Sequence, residues 1–181
     1  VGDERVAIKM VDVHTIGAGG GSIAWIDSLG LLRVGPGSAG ADPGPACYGK
    51  GLEPTTTDAD LVLGYVPHDY FLGGDIALDP QASRRAIKKV ADPLGMSVEE
   101  AAQSMFTTIN HVMADQITTV LTKRGYDVRG FSMVAGGGAG PVHAAAMAQV
   151  LGIPTVVVPS VAALYSAYGM FAMDIGRDYA R

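Results

Sequence analysis

The stretch Phe131-Ser-Met-Val-Ala-Gly-Gly-Gly-Ala-Gly-Pro-Val-His-Ala144 decides the fold of this chain. Its apolar beginning predicts the end of a buried strand at 131–135, and the small residues at 136–140 predict a turn that no side chain obstructs. Pro141 suits the first turn of a helix, because its missing N–H would be unpaired there anyway. The helix is predicted to continue to Leu151 and to end at Gly152. A strand, a glycine turn and a helix N-terminus leave room for a flat ligand or a phosphate to meet the backbone.

The same glycine turn is also compatible with a tight strand-to-helix connection that binds nothing. A dinucleotide-binding fold is a further alternative, and it calls for an acidic residue roughly 20 residues later, at the end of a second strand. Residues 154–160 contain no acid in that region. This absence disfavours a nicotinamide or flavin site.

Composition restricts the class of protein. With 181 residues, 48% of them hydrophobic and 17% charged, the chain can form a core as one domain or as a domain plus a lobe. The net charge of −5 argues against nucleic acid as a partner. The single cysteine, Cys47, excludes an intrachain disulfide framework and fits a reducing, cytoplasmic location. No apolar run approaches the roughly 18 residues of a membrane span. A start at Val1 without a methionine predicts a fragment.

The N-terminal region combines strand signals with two polar groups. Residues 6–16 are rich in β-branched side chains and predict one or two strands. Asp12 and His14 alternate with apolar residues, so they would share one face of a regular strand. A carboxylate beside an imidazole suits acid–base chemistry or metal binding. The alternative is a hydrogen-bonded pair in the core near a strand end.

Two further segments are rich in small residues. Gly17–Gly21 precedes a hairpin predicted between 22–27 and 31–34, and its backbone N–H groups can converge, although it lacks the lysine and Ser/Thr pattern of a P-loop. Residues 35–51 form a long glycine–proline loop, which is predicted to pack closely against another part of the molecule. The loops at 17–22 and 35–49 are predicted to lie near each other. Cys47 is interpreted as a buried, inert thiol in preference to a nucleophile.

Helix signals occupy the middle of the chain. Thr55–Asp58 supplies N-cap candidates for a short helix at 59–63, and Asp79 with Pro80 opens a helix to about residue 91. Ser97 and Glu100 form a capping box before a long amphipathic helix that ends near Arg124. The cationic side chains of the second helix predict a solvated face, with an acidic-ligand patch as the alternative; they are Arg84, Arg85, Lys88 and Lys89.

The C-terminal region completes an α/β pattern. Residues 155–158 predict a short strand, parallel to 131–135 across the intervening helix. Residues 161–173 predict a helix of small residues that lets another helix approach its backbone. Residues 174–181 predict a further strand or a tail.

Several motifs together resemble one family. They are Val11–Ala24, Gly35–Gly49, Thr57–Ala59 with Leu63–Gly64, Arg124–Asp127 and Gly137–Ala144. They resemble signatures of the hydantoinase A/oxoprolinase family, which includes N-methylhydantoinase, 5-oxoprolinase and subunits of acetone-type carboxylases. The resemblance extends over nearly the whole chain. From the residues without the resemblance, only a glycine-turn nucleotide-binding α/β domain is indicated.

The resemblance implies an α/β chain that is part of an actin/sugar-kinase-like (ribonuclease H-like) ATPase fold, with ATP between two lobes. In that plan the turn Gly136, Gly137, Gly138, Ala139, Gly140 and Pro141 contacts adenosine, and 161–173 is a hinge helix. The chain is then the C-terminal lobe of a longer ATP-dependent subunit. Its regions are a strand, hairpin and loop part at 1–66, a helical part at 67–127 and a nucleotide-turn part at 128–181.

Two phosphate-binding loops of the family, each carrying an Asp, are not recognised in this sequence. The ligands of Mg²⁺ are therefore expected mostly outside the chain, no metal-binding residue is assigned within it, and the isolated chain is predicted not to turn over ATP.

The implied function is ATP-dependent phosphorylation of the carbonyl of a small cyclic amide or ketone, for hydrolysis or carboxylation, together with a hydantoinase B-type partner subunit or domain. His14 and Asp42 are the predicted catalytic residues, and Gly19, Gly20, Gly21 and Ser22 the predicted substrate loop. The alternative is a non-catalytic module that binds nucleotide and docks a partner subunit. The residues do not distinguish among hydantoin, 5-oxoproline and ketone as substrates.

Overall fold

The first part of the fold is a β-hairpin. The structure is a computed structural model that describes residues 12–172. Strand β1, Ser22–Ile26, pairs antiparallel with strand β2, Leu32–Ser38, as the sequence predicts, although β2 is longer than expected. Gly30 provides the positive φ of the connecting turn. The indole Nε1–H of Trp25 donates to the Gly35 carbonyl at 2.8 Å, which ties the two strands together beyond their ladder.

Three helices follow, and each begins at a side-chain cap. Helix α1 is Thr56–Val62, helix α2 is Pro80–Leu94 and helix α3 is Val98–Lys123. The caps are Thr55, Asp79 and Ser97, and Thr55 and Ser97 belong to reciprocal capping boxes. These side chains satisfy N–H groups that have no partner inside a helix. The helix starts expected at Pro80 and after Ser97 are confirmed, whereas α1 starts earlier than the predicted 59–63.

The decisive glycine stretch forms a small parallel unit. Strand β3, Met133–Val134, is followed by the glycine turn and by helix α4, Gly140–Leu151. Strand β4, Val156–Val157, returns parallel to β3. Gly152 ends α4 in the left-handed conformation, with its N–H bonded to Ala148 and Gln149 carbonyls. The predicted strand–turn–helix–strand order is confirmed, and the chain is of mixed α/β class.

Helix α5, Tyr165–Phe171, is shorter than the helix predicted at 161–173. A 3₁₀ turn at Ala162–Leu164 replaces its first turn. The side chains of α5 are exposed, so no helix of the described chain packs on its small residues. Residue 173 and the strand or tail predicted at 174–181 lie outside the described residues.

The main core lies where the hairpin, α1, α2, α3 and α4 meet. Its larger members are Ile87, Val90, Met105, Ile109, Met113 and Met147. Met105 and Met113 lie on the buried face of α3. Gln116 is exposed although it continues the helical spacing of buried positions, while the neighbouring Ile117 is partly buried against the core. The spacing alone does not reveal where the neighbouring elements end.

The N-terminal prediction needs correction where the structure describes it. Residues 12–16 form no strand, and Asp12 and His14 are exposed. Neither belongs to the core, so the buried-pair alternative is wrong. The part of the predicted strand at 6–11 lies outside the described residues.

Within residues 12–172 the search for membrane-crossing helices finds none with the required length and apolarity.

Candidate functional site

A cavity of about 440 Å³ lies where three segments rich in small residues meet. The first is the loop before β1, the second is the long glycine–proline loop, and the third is the turn before α4. The lining residues are Gly20, Gly21, Gly40, Ala41, Pro45, Tyr48, Thr57, Asp60, Val66, Phe71, Gly138, Ala139 and Val142. A volume of this size suits a small molecule.

Backbone contacts bring the first two loops together. The Gly20 carbonyl accepts bonds from the backbone N–H and the hydroxyl of Thr57, both at 2.9 Å. A Cβ on Gly20 would lie 2.6 Å from that hydroxyl oxygen, so a side chain there would displace α1 from the loop. The Gly21 carbonyl accepts from the Ala39 N–H at 2.9 Å. The predicted proximity of loops 17–22 and 35–49 is confirmed, and close contacts leave little room for a side chain at Gly20 and Gly21.

The Asp58 side chain holds the glycine–proline loop in place through hydrogen bonds to its backbone. This fully buried carboxylate accepts backbone N–H bonds from Ala46 and Cys47 at 3.1 and 2.9 Å. It also accepts from the N–H and hydroxyl of Thr55, and from the Ser83 hydroxyl at 2.6 Å. Asp58 thus joins the loop, the start of α1 and α2 through one side chain, and its position explains how a loop with so few side chains is ordered.

Cys47 is buried beside this carboxylate. Burial, reinforced by the negative charge of Asp58, raises the pKa of the Cys47 thiol to about 12. A thiol with so high a pKa is a poor nucleophile at neutral pH. The interpretation of Cys47 as an inert core residue is confirmed. Burial also raises the pKa of the neighbouring Tyr48, with smaller contributions from Cys47 and Asp58, so its hydroxyl stays neutral at the cavity wall.

The glycines of the decisive turn differ in what they contact. Gly137 has a φ of +88° and donates its N–H to the Ala162 carbonyl at 2.7 Å. A Cβ on Gly136 would lie 2.8 Å from the ring of Tyr165. By contrast, a Cβ on Gly138 or on Gly140 would meet no atom within 4 Å. The turn conformation and packing therefore account for Gly136 and Gly137 but not for Gly138 and Gly140.

Helix α4 begins beside the cavity without a side-chain cap. Ala139 occupies the N-cap position and has no side chain that accepts a hydrogen bond. N–H groups in the first turn of a helix have no acceptor within the helix, and the helix dipole makes this end partially positive. Ala139 and Val142 both line the cavity, so this helix end faces a potential ligand.

A buried polar cluster lies behind the cavity wall. His143 and Asp60 are 1% and 2% exposed, and the His143 Nε2 lies 3.3 Å from the Asp60 Oδ2. The His143 Nδ1 lies 3.2 Å from the Asn110 Oδ1, while the Asn110 amide donates to the Phe106 carbonyl at 2.8 Å. The imidazole stacks on the Phe106 ring, with centroids 5.0 Å apart.

The direction of one hydrogen bond in this cluster follows from its donors. Because the Asn110 amide nitrogen donates to a carbonyl, its oxygen faces His143, and the His143 Nδ1 donates to that oxygen. On the other side of the ring, the His143 Nε2 lies 3.3 Å from the Asp60 Oδ2. The contact has ion-pair distance but not hydrogen-bond alignment, and among the described residues Nε2 and the Asp60 Oδ1 have no hydrogen-bond partner.

Sequence reasoning missed this cluster. In the sequence His143 belongs to the glycine stretch, while Asp60 and Asn110 lie within predicted helices with no motif that marks them. The available signal was polarity at positions that helical spacing buries, because Asp60 and Asn110 both lie on the inner sides of their helices. The contact among three separate helices was not visible in the sequence.

The predicted catalytic residues lie elsewhere. His14 is near Asp12 and Arg124, with Arg124 Nη2 at 2.6 Å from both the His14 Nε2 and an Asp12 oxygen. Asp42 is exposed and 3.3 Å from Lys50. Neither side chain lines the cavity, whereas the predicted loop residues Gly20 and Gly21 and the turn residues Gly138 and Ala139 do.

Other charged groups form surface pairs. On α2, Arg84 pairs with Glu99, Arg85 with Asp79 and Lys89 with Glu53. This agrees with the solvated face predicted for that helix. Among residues 12–172, no group of three or more His, Cys, Asp or Glu side chains is placed to hold a metal ion.

Comparison with known proteins identifies relatives of this arrangement. The chain is 48% identical over 176 residues to the caprolactamase subunit alpha of Pseudomonas jessenii, covering 96% of this chain and 25% of that protein. It is 40% identical to 5-oxoprolinase 1 of Arabidopsis thaliana and 38% identical to the acetone carboxylase beta subunit of Xanthobacter autotrophicus, covering 15% and 25% of them. Each of these two matches covers 96% of the present chain.

The likeness extends to three dimensions. The crystal structure of the ATP-dependent caprolactamase from Pseudomonas jessenii superimposes with a TM-score of 0.80 at 50% identity, over 88% of this chain and 23% of that one. The chain thus spans about a quarter or less of the length of these relatives. The hydantoinase/oxoprolinase family profile matches residues 1–179. The chain therefore belongs to the hydantoinase/oxoprolinase family.

Proposed function

We propose that this chain is part of a longer ATP-dependent enzyme that activates the carbonyl of a small cyclic amide, or of a ketone, by phosphorylation. The observation that supports it most directly is the meeting of the two glycine-rich loops and the α4 turn around one small cavity. Relatives named as a caprolactamase, a 5-oxoprolinase and an acetone carboxylase point to the same two substrate classes.

The chemistry explains the requirement for ATP. Resonance makes an amide carbonyl a weak electrophile. When the carbonyl oxygen takes the γ-phosphoryl group, an O–P bond forms as the bond to ADP breaks, and the carbon becomes open to attack. Water then adds to that carbon, and the C–N bond breaks as the nitrogen leaves with a proton, which gives an acyl phosphate. A second water attacks the acyl carbon, and phosphate leaves with the former carbonyl oxygen. For a ketone, phosphorylation of the enolate oxygen prepares the molecule for carboxylation.

The turn at 136–141 is the part of this chain that we assign to the nucleotide. Gly138 and Gly140 leave backbone accessible, and the uncapped start of α4 favours negative charge. Residues 12–172 contain no cluster of three or more His, Cys, Asp or Glu side chains placed to hold a metal ion, and we assign the ligands of Mg²⁺ to other parts of the enzyme. We further propose that the whole enzyme has an actin/sugar-kinase-like fold in which this chain is one lobe.

A partner subunit completes the proposal. Three relatives are named as subunits of larger enzymes. We therefore propose that a hydantoinase B-type subunit or domain receives the activated carbonyl. The alternative is a non-catalytic nucleotide-binding module that docks such a partner. The exposed apolar side chains of α5, such as Met170 and Phe171, favour a role in docking.

An isotope experiment tests the proposed activation. The full-length protein, with its partner subunit, is incubated with ATP and a lactam labelled with ¹⁸O at the carbonyl; ε-caprolactam and 5-oxoproline are the first candidates. We expect the label in inorganic phosphate, because the carbonyl oxygen leaves with the phosphoryl group. ATP-dependent hydrolysis that leaves the phosphate unlabelled would exclude phosphorylation of the carbonyl oxygen.

His14 and Asp42 stay predictions as catalytic residues. If they act on the substrate, His14→Ala and Asp42→Ala in the full-length enzyme lower kcat/KM well beyond twofold. Values within about twofold of the wild type for both variants would remove them from the mechanism, and their exposed positions would then reflect surface ion pairing only.

A further inference from the structure

Asp60 lines the cavity, and one oxygen of its carboxylate has no hydrogen-bond partner among the described residues. Its side chain is almost fully buried, one oxygen faces His143, and the other has no partner within residues 12–172. A buried polar atom without a hydrogen bond destabilises a protein, so such atoms call for an explanation. Asp60 lines the cavity, whereas His143 is not among the lining residues. The structure thus places a buried, unpartnered carboxylate oxygen on a residue of the cavity wall.

The other residues that line the cavity restrict the kind of ligand that fits it. Asp60 is the only charged side chain among the lining residues of this described part of the chain, and the others are glycine, alanine, proline, threonine, valine or aromatic. No Lys or Arg is among the lining residues, so an anionic group is disfavoured at this point. A neutral, largely apolar ring with a hydrogen-bond donor fits it.

The start of α4 presents hydrogen-bond donors beside the cavity, which favours a ligand that carries an acceptor. The uncapped N-terminal end of α4 contributes Ala139 and Val142 to the same cavity. Pro141 has no N–H, and the Val142 N–H donates to the Ala139 carbonyl at 3.1 Å, which leaves the N–H groups of Ala139 and Gly140 to donate to an acceptor on a ligand. A ring that satisfies both walls carries an N–H donor close to an acceptor atom. A cyclic amide has this pattern in its N–H and C=O, and adenine has it in its amino group and ring nitrogen.

We propose that the Asp60 Oδ1 is a binding residue that accepts a hydrogen bond from the N–H group of a neutral ring in this cavity. His143 and Asn110 are positioning residues. Asn110 holds the imidazole through Nδ1, the imidazole holds the Oδ2 side of the carboxylate, and the other oxygen is left directed at the ligand. The choice of a cyclic amide or an adenine as the ring rests on the proposed function.

Equilibrium binding to the full-length protein tests the proposal without requiring turnover. Calorimetry compares ε-caprolactam with N-methylcaprolactam, and ATP with N6,N6-dimethyl-ATP, so that each pair differs in the N–H donor. We expect the N–H form to bind at least about tenfold more tightly in one pair, because a bond to a charged acceptor is lost on methylation. Preference in the first pair assigns the site to the carbonyl substrate, and preference in the second assigns it to the nucleotide. Equal affinities within both pairs overturn the proposal.

Substitutions test whether Asp60 causes the preference for a ligand with an N–H donor. Asp60→Leu removes the acceptor and brings the affinity ratio to within about twofold of one. Asp60→Asn keeps a neutral oxygen and lowers the ratio at least about threefold, and this variant decides the question if the leucine variant does not fold. His143→Gln lowers the ratio because the carboxylate loses its orientation, while binding of the methylated ring changes less than about twofold. Asp115→Asn, an exposed carboxylate on α3, is the matched control and keeps the wild-type ratio.

The outcomes separate this inference from the proposed function. A wild-type ratio in Asp60→Leu, or in Asp60→Asn if only that variant folds, contradicts the role of Asp60 even if lactam-dependent ATP hydrolysis is observed. An N–H preference that depends on Asp60, in a protein that shows no lactam- or ketone-dependent ATP hydrolysis, supports the site and refutes the proposed reaction.

Discussion

At the scale of single residues, the glycine turn before α4 contains glycines with different physical requirements. Gly137 adopts a left-handed conformation, and Gly136 touches the Tyr165 ring, whereas Gly138 and Gly140 do neither. A sequence shows only that all four are small. The structure separates those that the fold requires from those that remain available to a ligand.

Substitution of two neighbouring glycines tests this distinction. Gly137→Ala is expected to lower the free energy of unfolding by about 1 kcal/mol or more, because alanine is strained at positive φ. Gly138→Ala is expected to change it by no more than about 0.5 kcal/mol, since its Cβ meets open space. If the turn contacts nucleotide, Gly138→Ala weakens ATP binding. Melting curves and ATP titration on the full-length protein measure both, and unchanged ATP affinity would argue against the nucleotide assignment.

Asp58 is the residue whose loss we expect to affect stability most. Asp58→Asn turns one of two acceptor oxygens into a donor that faces other donors, either Ala46 and Thr55 or Cys47 and Ser83. Because the site is fully buried, we expect a loss of about 3 kcal/mol in the free energy of unfolding. Urea unfolding measures this loss. Asp115→Asn serves as the exposed control, and an equally small effect in both variants would show that the buried network is not important for stability.

At the scale of elements, side chains at the helix starts form hydrogen bonds with backbone N–H groups that have no partner inside the helix. In the capping box of α3, Glu100 accepts from the Ser97 N–H and hydroxyl at 2.8 and 2.7 Å. These bonds, from the backbone N–H first and the hydroxyl second, lower the pKa of Glu100 below its ordinary value of 4.5. The ionised form is therefore favoured in the folded state.

The sign of the resulting pH dependence follows. A carboxyl group with a lowered folded-state pKa stabilises the protein at neutral pH, and this stabilisation disappears as the pH falls from about 4.5 through the lowered pKa. We expect Glu100→Gln to show a shallower loss of stability below pH 5 than the wild type. Denaturant unfolding at several pH values measures the slope. Asp115→Asn, on the same helix, provides the comparison, and parallel curves for Glu100→Gln and wild type would contradict the prediction.

Elements also meet behind the glycine turn. The Gly137 N–H bonds to the Ala162 carbonyl, and the Tyr165 ring covers Gly136. The segment before and at the start of α5 thus supports the turn on one side, while the cavity borders it on the other. This arrangement explains why a short, largely exposed helix is connected to the proposed binding region.

At the scale of the whole molecule, the described part of the chain holds a small cavity with a polar cluster behind it, but the chain matches only about a quarter of its caprolactamase relative. We predict that purified 1–181 does not turn over ATP, whereas the full-length protein does. The reason is that the two phosphate-binding loops implied by the family are not recognised in this sequence. A coupled assay for ADP release measures both. ATPase activity of 1–181 that is abolished by Gly138→Ala would overturn this division of roles.

Much of the local structure was predictable because it depends on neighbouring residues. The caps at Asp79 and Ser97, the hairpin around Gly30 and the start of α4 at the glycine turn each follow from a few consecutive side chains. The family was also recognisable, since its motifs are local. The strand expected at residues 12–16 was wrong in the described part, because β-branched composition does not ensure a pairing partner.

The sequence by itself determined the α/β class, the order of most elements, the inert character of Cys47 and the membership of the family. Only the tertiary structure decided that the two loops and the turn enclose one cavity, that Asp58 anchors the long loop, and that Asp60, His143 and Asn110 meet. The physical reason is the distance along the sequence between the interacting groups. Caps and turns are set by backbone groups a few residues apart, whereas a contact between side chains of different helices depends on how those helices pack.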